Sequence, residues 1–182
     1  MIKIEYNGKT YMYGGKNFID DTFIILEGEE LRNVSRVYFS SIEYQTLGTE
    51  TLLTVIKQMK TIGLYYEAKK AIDFAVTTKS QNLQLLHDLM PIYMSCCRAI
   101  NQPQDAIKFA EEFLPICGGS VPTYTSLAAA YCDVQNYEKA KRYAKLAYAK
   151  QGGGKGYTTE LSLVFKRLVK ETGEDFSEGE SK

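Results

Sequence analysis

Histidine is nearly absent from this chain: its 182 residues include one, His87, beside four cysteines. That is too few nitrogen and sulfur ligands, at the wrong spacing, for a metal site. Cys96 and Cys97 are neighbours, which on a helix point about 100° apart, and together with Cys117 and Cys132 they lack the regular spacing of a disulfide framework. All four read as reduced, small buried hydrophobes. Net charge is also lacking, since 22 basic residues balance 22 acidic ones, so no global field points to nucleic acid or a membrane surface. No stretch reaches the roughly 20 apolar residues of a membrane span. Nor does Met1-Ile2-Lys3-Ile4-Glu5-Tyr6 carry an apolar signal-peptide core. The expectation is a cytoplasmic protein with no membrane association, for which the Asn33-Val34-Ser35 sequon has no meaning.

Catalytic arrangements are missing too. His87 and Asp88 are adjacent, and adjacent helical residues do not face one another. Gly152-Gly153-Gly154-Lys155-Gly156 imitates a phosphate loop. It follows a helical pattern rather than a strand, and Gly156 stands where Ser or Thr would ligate magnesium. A helix stop and flexible link is the better reading. No carboxylate pair or nucleophile–base set has a suitable context. An enzyme or accessory subunit is therefore the weakest functional reading, and no cofactor is expected.

What is present is helical periodicity behind a short β element. Ile2, Ile4 and Tyr6 alternate with polar residues, Asn7-Gly8 supplies a type I′ turn, and residues 10–13 resume a strand. Gly14-Gly15 is expected to break this ribbon, and residues 22–26 to add a third strand. From Glu29 to about Tyr44, Leu31, Val34, Val37 or Tyr38, and Ile42 follow helical steps and predict a helical connector, with Val37-Tyr38-Phe39 equally open to a strand. Thr49 is the expected N-cap of the next helix.

From there the chain repeats. Tyr65-Tyr66-Glu67-Ala68, Pro103-Gln104-Asp105-Ala106 and Tyr137-Glu138-Lys139-Ala140 align on an alanine; Ala106 and Ala140 are 34 residues apart, and Ala68 and Ala106 are 38 apart. The third copy shows Tyr124, Leu127, Ala128, Tyr131, Ala140, Ala144 and Ala147. The second keeps Tyr93, Ala106, Ala110 and Phe113 but has Met94 and Cys97 at the small and tyrosine positions. The first keeps Gly63, Tyr65, Ala68 and Ala75, preceded by Val55, Ile56 and Met59. Small residues let two helices of a hairpin approach closely, and a period near 34 marks stacked helix pairs.

Residues 49–150 thus resemble the tetratricopeptide repeat superfamily. The resemblance implies a mainly α fold: a tetratricopeptide-like α-α superhelix of three helical hairpins plus a C-terminal capping helix, following a small N-terminal β-hairpin module. The expected organisation is a β module at 1–28, a connector at 29–48, three helix pairs at 49–150, a glycine link and capping helix at 151–172, and an acidic disordered tail at 173–182. Pro91 falls within the first helix of the second pair. Either that helix starts near Met90, or the segment from Leu83 to Ile100 bends there.

By family register the first helix of each pair lines a concave groove, which implies a protein or peptide partner and a role as adaptor. The register assigns Leu53, Lys57 and Lys60, then Ser95 and Arg98, then Thr125, Ala129 and Cys132 to that groove. Three cations among small neighbours suit an extended segment bearing a carboxylate. The lysine–asparagine clamp by which some relatives hold chaperone C-termini is not visible, since Leu53 and Pro91 occupy positions where it wants polar residues. A second reading uses the charge asymmetry. Residues 136–171 carry nine Lys or Arg against three Glu. Lys139, Arg142 and Lys145, extended by Lys166, Arg167 and Lys170, form a basic patch that could track RNA phosphates. Short arrays also self-associate through their ends, so a homodimer is a further expectation.

Overall fold

The computed structural model describes residues 3–6, 9–17, 22–27, 30–34, 48–79, 81–152 and 158–174. It divides into two compact units, residues 1–78 and 79–182.

The first unit opens with an antiparallel meander in the order β1 (Lys3–Tyr6), β2 (Lys9–Asn17), β3 (Thr22–Glu27), β4 (Glu30–Val34). Tyr6 pairs with Lys9 across Asn7-Gly8, where the hairpin signal lay. Two expectations are corrected here. Gly14-Gly15 does not end the ribbon: β2 continues to Asn17, and the register with β3 slips between Tyr13 and Gly15. This is a bulge, which glycine accommodates without breaking the strand. The helical connector from Glu29 is likewise overturned at its start, because Glu30–Val34 is a strand with Leu31 opposite Leu26. Leu31 and Val34 satisfy a helical step over four residues, too short a stretch to separate the two periods, and the partner strand decides. The remainder of that connector, 35–47, lies outside the described residues.

The same unit contains α1 (Thr49–Thr61) and α2 (Tyr65–Thr78), packed as a hairpin. Leu52, Ile56 and Met59, at steps of four and three, are fully buried on α1, as are Ala68, Ala71, Ile72 and Ala75 on α2. Gly48, not Thr49, is the N-cap of α1 and gives no side-chain bond.

The described elements of the second unit are all helices: α3 (Leu83–Ala99), α4 (Pro103–Cys117), α5 (Val121–Asp133), α6 (Tyr137–Gln151) and α7 (Thr159–Thr172). α3 pairs with α4 and α5 with α6, and α5 also touches α3, α4 and α7, so it is the centre of the unit. Ala106, Ala110, Ala128, Ala140, Ala144 and Ala147 are all fully buried. Rings fill the space around them: Tyr93 stacks on Phe109 at 4.0 Å, and Tyr131 on Tyr143 at 5.5 Å. Pro91 does not start its helix, because α3 already begins at Leu83 with Asn82 Oδ1 accepting from the Leu85 amide at 3.0 Å.

The turns inside the three pairs repeat as faithfully as the alanines. Gly63, Asn101 and Gln135 all have φ between 58° and 81°, the left-handed region, at separations of 38 and 34 residues. Each turn makes the same bonds: Leu64 N to Met59 O, Gln102 N to Cys97 O and Asn136 N to Tyr131 O, at 2.8, 2.8 and 2.9 Å. This closure satisfies the orphan carbonyls at the end of each first helix. α6 ends at Gly152 (φ 96°), and α7 is capped by Thr158 Oγ1 accepting from the Leu161 amide at 3.3 Å. Leu161, Val164, Phe165 and Leu168 bury the apolar stripe of α7, which packs on α5 and α6 as a terminal cap. Residues 175–182, the greater part of the expected disordered tail, lie outside the described residues.

Candidate partner-binding surface

The first helices of the second unit, α3 and α5, are followed by α7 in the same role, and one polar seam crosses all three. Arg98, in the last turn of α3, donates from Nε to Asp133 Oδ2 at 2.6 Å. Arg167 on α7 donates from Nη1 to the other oxygen, Asp133 Oδ1, and from Nη2 to the Cys132 carbonyl at 3.1 Å. The three residues are 35 and 34 positions apart, so the repeat that stacks the helices also stacks the charges. Two guanidinium groups share one carboxylate, leaving a local excess of one positive charge. Arg98 keeps both Nη groups without a partner among the described residues, and its side chain is 31% exposed. The Asp133 carboxylate strengthens the hold of Arg167 on its proton.

Sequence reasoning missed Asp133. Its signal was the spacing: it falls one helical repeat before Arg167 and one repeat plus one residue after Arg98. The other expected groove residues have different fates. Ser95 is half-buried on α3 near Arg98. Thr125 is 6% exposed with its hydroxyl bonded to the Val121 carbonyl at 2.8 Å, Ala129 is 7% exposed, and Cys132 is fully buried. These three carry no accessible side chain, because α3 and α7 pack on α5. Leu53, Lys57 and Lys60 lie on α1 in the first unit. Lys57 is exposed, the other two are half-buried, and neither lysine has an ion-pair partner among the described residues.

The basic patch divides by function. Lys139 is held by Glu111 at 3.5 Å and by the Tyr131 hydroxyl at 3.4 Å, contacts that favour its charged form, the tyrosine foremost. Arg167 belongs to the seam. Arg142 and Lys145 on α6 and Lys166 and Lys170 on α7 are exposed and unpaired among the described residues.

The outer surface of α7 differs from that of α5. Thirty-four positions on from Thr125, Ala129 and Cys132, the α5 residues that are covered, come Thr159, Leu163 and Lys166, all exposed. Lysine replaces a buried cysteine, so the face that would receive a further helix is mostly polar, with Leu163 standing 61% exposed in it.

Among the described residues there is no group of His, Cys, Asp and Glu arranged to hold a metal ion, and no helix long and apolar enough to cross a membrane. The four cysteines are free thiols, and burial pushes those of Cys117 and Cys132 up from their ordinary values.

No family model matches the chain, and no curated protein matches it. Among solved structures it is similar to the tetratricopeptide domain of Sgt2 from Aspergillus fumigatus, with a TM-score of 0.57 and 16% identity over 69% of this chain and 80% of that one. At that identity the likeness speaks for the fold alone. The fold is tetratricopeptide-like and mainly α, with a small N-terminal sheet.

Proposed function

We propose that this protein is a non-catalytic adaptor that binds an extended protein or peptide segment on the first-helix face of its second unit, around Arg98. Stacked helix pairs offer a broad, stiff surface, and stiffness lowers the ordering cost of binding. The observation that carries the reading is the posture of Arg98. One edge of its guanidinium is held by Asp133, which is itself held by Arg167, while the terminal nitrogens have no partner among the described residues and suit a bidentate carboxylate. Ser95, one turn earlier, adds a small polar neighbour that leaves room for a backbone.

The test is peptide selection on the immobilised full chain, followed by fluorescence anisotropy with the selected peptides. Arg98→Gln is expected to weaken binding about tenfold or more, the value of a charge-assisted bidentate contact, whereas Lys145→Ala on α6 leaves it unchanged. Equal affinities for wild type and Arg98→Gln would overturn the reading. Lys57→Ala and Lys60→Ala, assayed separately, report whether the first unit takes part.

RNA binding is the second reading, supported by Arg142, Lys145, Lys166 and Lys170, which are exposed and unpaired among the described residues. It requires affinity for a single-stranded oligonucleotide that falls steeply between 50 and 200 mM salt, roughly as one power of salt per phosphate contact. The seam and the Glu111 pair remove Arg167 and Lys139 from that count, which favours the peptide. Light scattering on the full chain reads whether copies associate through Leu163 as a homodimer.

A further inference from the structure

α3 buries nine of its residues, and of its five half-exposed ones all but Asp88, which bonds Gln84 at 3.0 Å and lies 3.4 Å from His87, form a single line. His87, Pro91, Ser95 and Arg98 are separated by steps of four, four and three, which puts them on one side of the helix. Pro91 is the unusual member. It has no amide proton, so the His87 carbonyl loses the donor that a regular helix supplies, and the ring pushes against that carbonyl. Proline is the least favourable residue for a helix interior, and here it sits at the accessible surface rather than in the core. Ser95 Oγ makes no hydrogen bond among the described residues. The line therefore runs from an acceptor at His87 that proline leaves without its helical donor, past the Ser95 hydroxyl, to the Nη pair of Arg98, the last two without partners among the described residues. Eleven residues of helix span about 16 Å, the reach of about five residues of extended chain.

We infer that this line is the seat of the bound segment, an extended stretch of about five residues. Its backbone N–H donates to the His87 carbonyl at one end, and its carboxylate meets Arg98 at the other. The inference rests on the adaptor reading and deepens it by assigning the backbone register. Asp133 is a positioning residue in this arrangement, fixing the plane in which Arg98 presents its outer nitrogens.

The test is a coupling measurement on the full chain. Peptides selected from a displayed library of random short sequences are synthesised with each backbone amide N-methylated in turn, and their Kd is measured on wild type and Pro91→Ala. One methylated position, about five residues from the acidic side chain that Arg98 requires, is expected to weaken binding to wild type about tenfold. The same peptide loses less than about twofold on Pro91→Ala, because the substituted residue's own amide reclaims the carbonyl. That variant removes an unfavourable helix residue, so it folds. Equal losses on both proteins, with Arg98→Gln still harmful, would overturn the seat while leaving the adaptor reading intact. Failure to select any peptide would overturn both.

Discussion

Gln135 is held in a conformation that its side chain disfavours, and relieving it tests the repeat directly. The residue has φ 58° in the turn between α5 and α6, where the first pair has Gly63 and the second Asn101. For a residue with a Cβ the left-handed region costs about 1–2 kcal/mol. Glycine removes that cost but returns about 0.5–1 kcal/mol through the greater freedom of its unfolded chain. The Gln135 side chain is exposed and makes no hydrogen bond among the described residues. The turn itself is closed by backbone bonds, Gln135 N to Cys132 O at 3.1 Å and Asn136 N to Tyr131 O at 2.9 Å, which glycine keeps. Gln135→Gly should therefore stabilise the fold by about 0.5–1 kcal/mol, raising Tm by about 1–4 °C for a chain of this size. Asn101→Gly should gain less, because asparagine tolerates this region better, and Gly63→Ala should lose about 1 kcal/mol. Circular dichroism melts at 222 nm measure all three. A Gln135→Gly protein melting at or below wild type would refute the equivalence of the turns.

The remaining predictions concern the seam and the packing. Asp133→Asn leaves Arg98 and Arg167 without their shared charge. Because the groups are partly exposed, the expected loss is about 1–2 kcal/mol after discounting for solvent, and the gap from wild type should narrow in high salt. Gly119→Ala places a Cβ 2.6 Å from Tyr124 Cζ and 2.9 Å from Leu114 Cδ1, both on side chains packed around a buried site, and is expected to cost about 1–3 kcal/mol. In a thiol-disulfide exchange assay under native conditions, half-buried Cys117 should react well before fully buried Cys96, Cys97 and Cys132. Burial raises the Cys132 thiol above its ordinary 9.0, so in alkali the folded chain keeps a proton that the unfolded chain gives up. Stability from this group is full below that value and falls as pH rises past it; Cys132→Ala should flatten the alkaline limb of a denaturant midpoint against pH, and an unaltered limb would count against the assignment.

The helix pairs were legible because close packing demands the same small residue each time the chain returns: Ala106 and Ala140 recur at 34 and are fully buried. The Asn7-Gly8 hairpin was legible because few sequences supply two positive φ angles in succession. β4 was not, since Leu31 and Val34 are a helical step apart over too short a stretch to carry weight, and only pairing with Leu26 and Phe23 shows the strand. Glycine-first Gly28-Glu29, between the paired Glu27 and Glu30, is the cue that could have weighed against a helix. The exposure of the residues expected to line a groove was only partly legible. Register put Arg98 on the first helix of its pair, but it could not show that Thr125 and Cys132 are buried. Nor could it show that a residue counted in the RNA patch, Arg167, turns to Asp133. Such pairings depend on which helix end meets which, a tertiary fact.

Arg98 offers the most direct measurement of the adaptor account, through the nitrogen–proton resonance of its Nε in the full chain. The bond to Asp133 is expected to slow the exchange of that proton and to shift its signal. Titrating a selected peptide should shift this signal together with the Nη protons. The same peptide with its acidic residue replaced by alanine should leave them in place. If the intact peptide binds with the Arg98 resonances unmoved, the partner sits elsewhere and the account is contradicted.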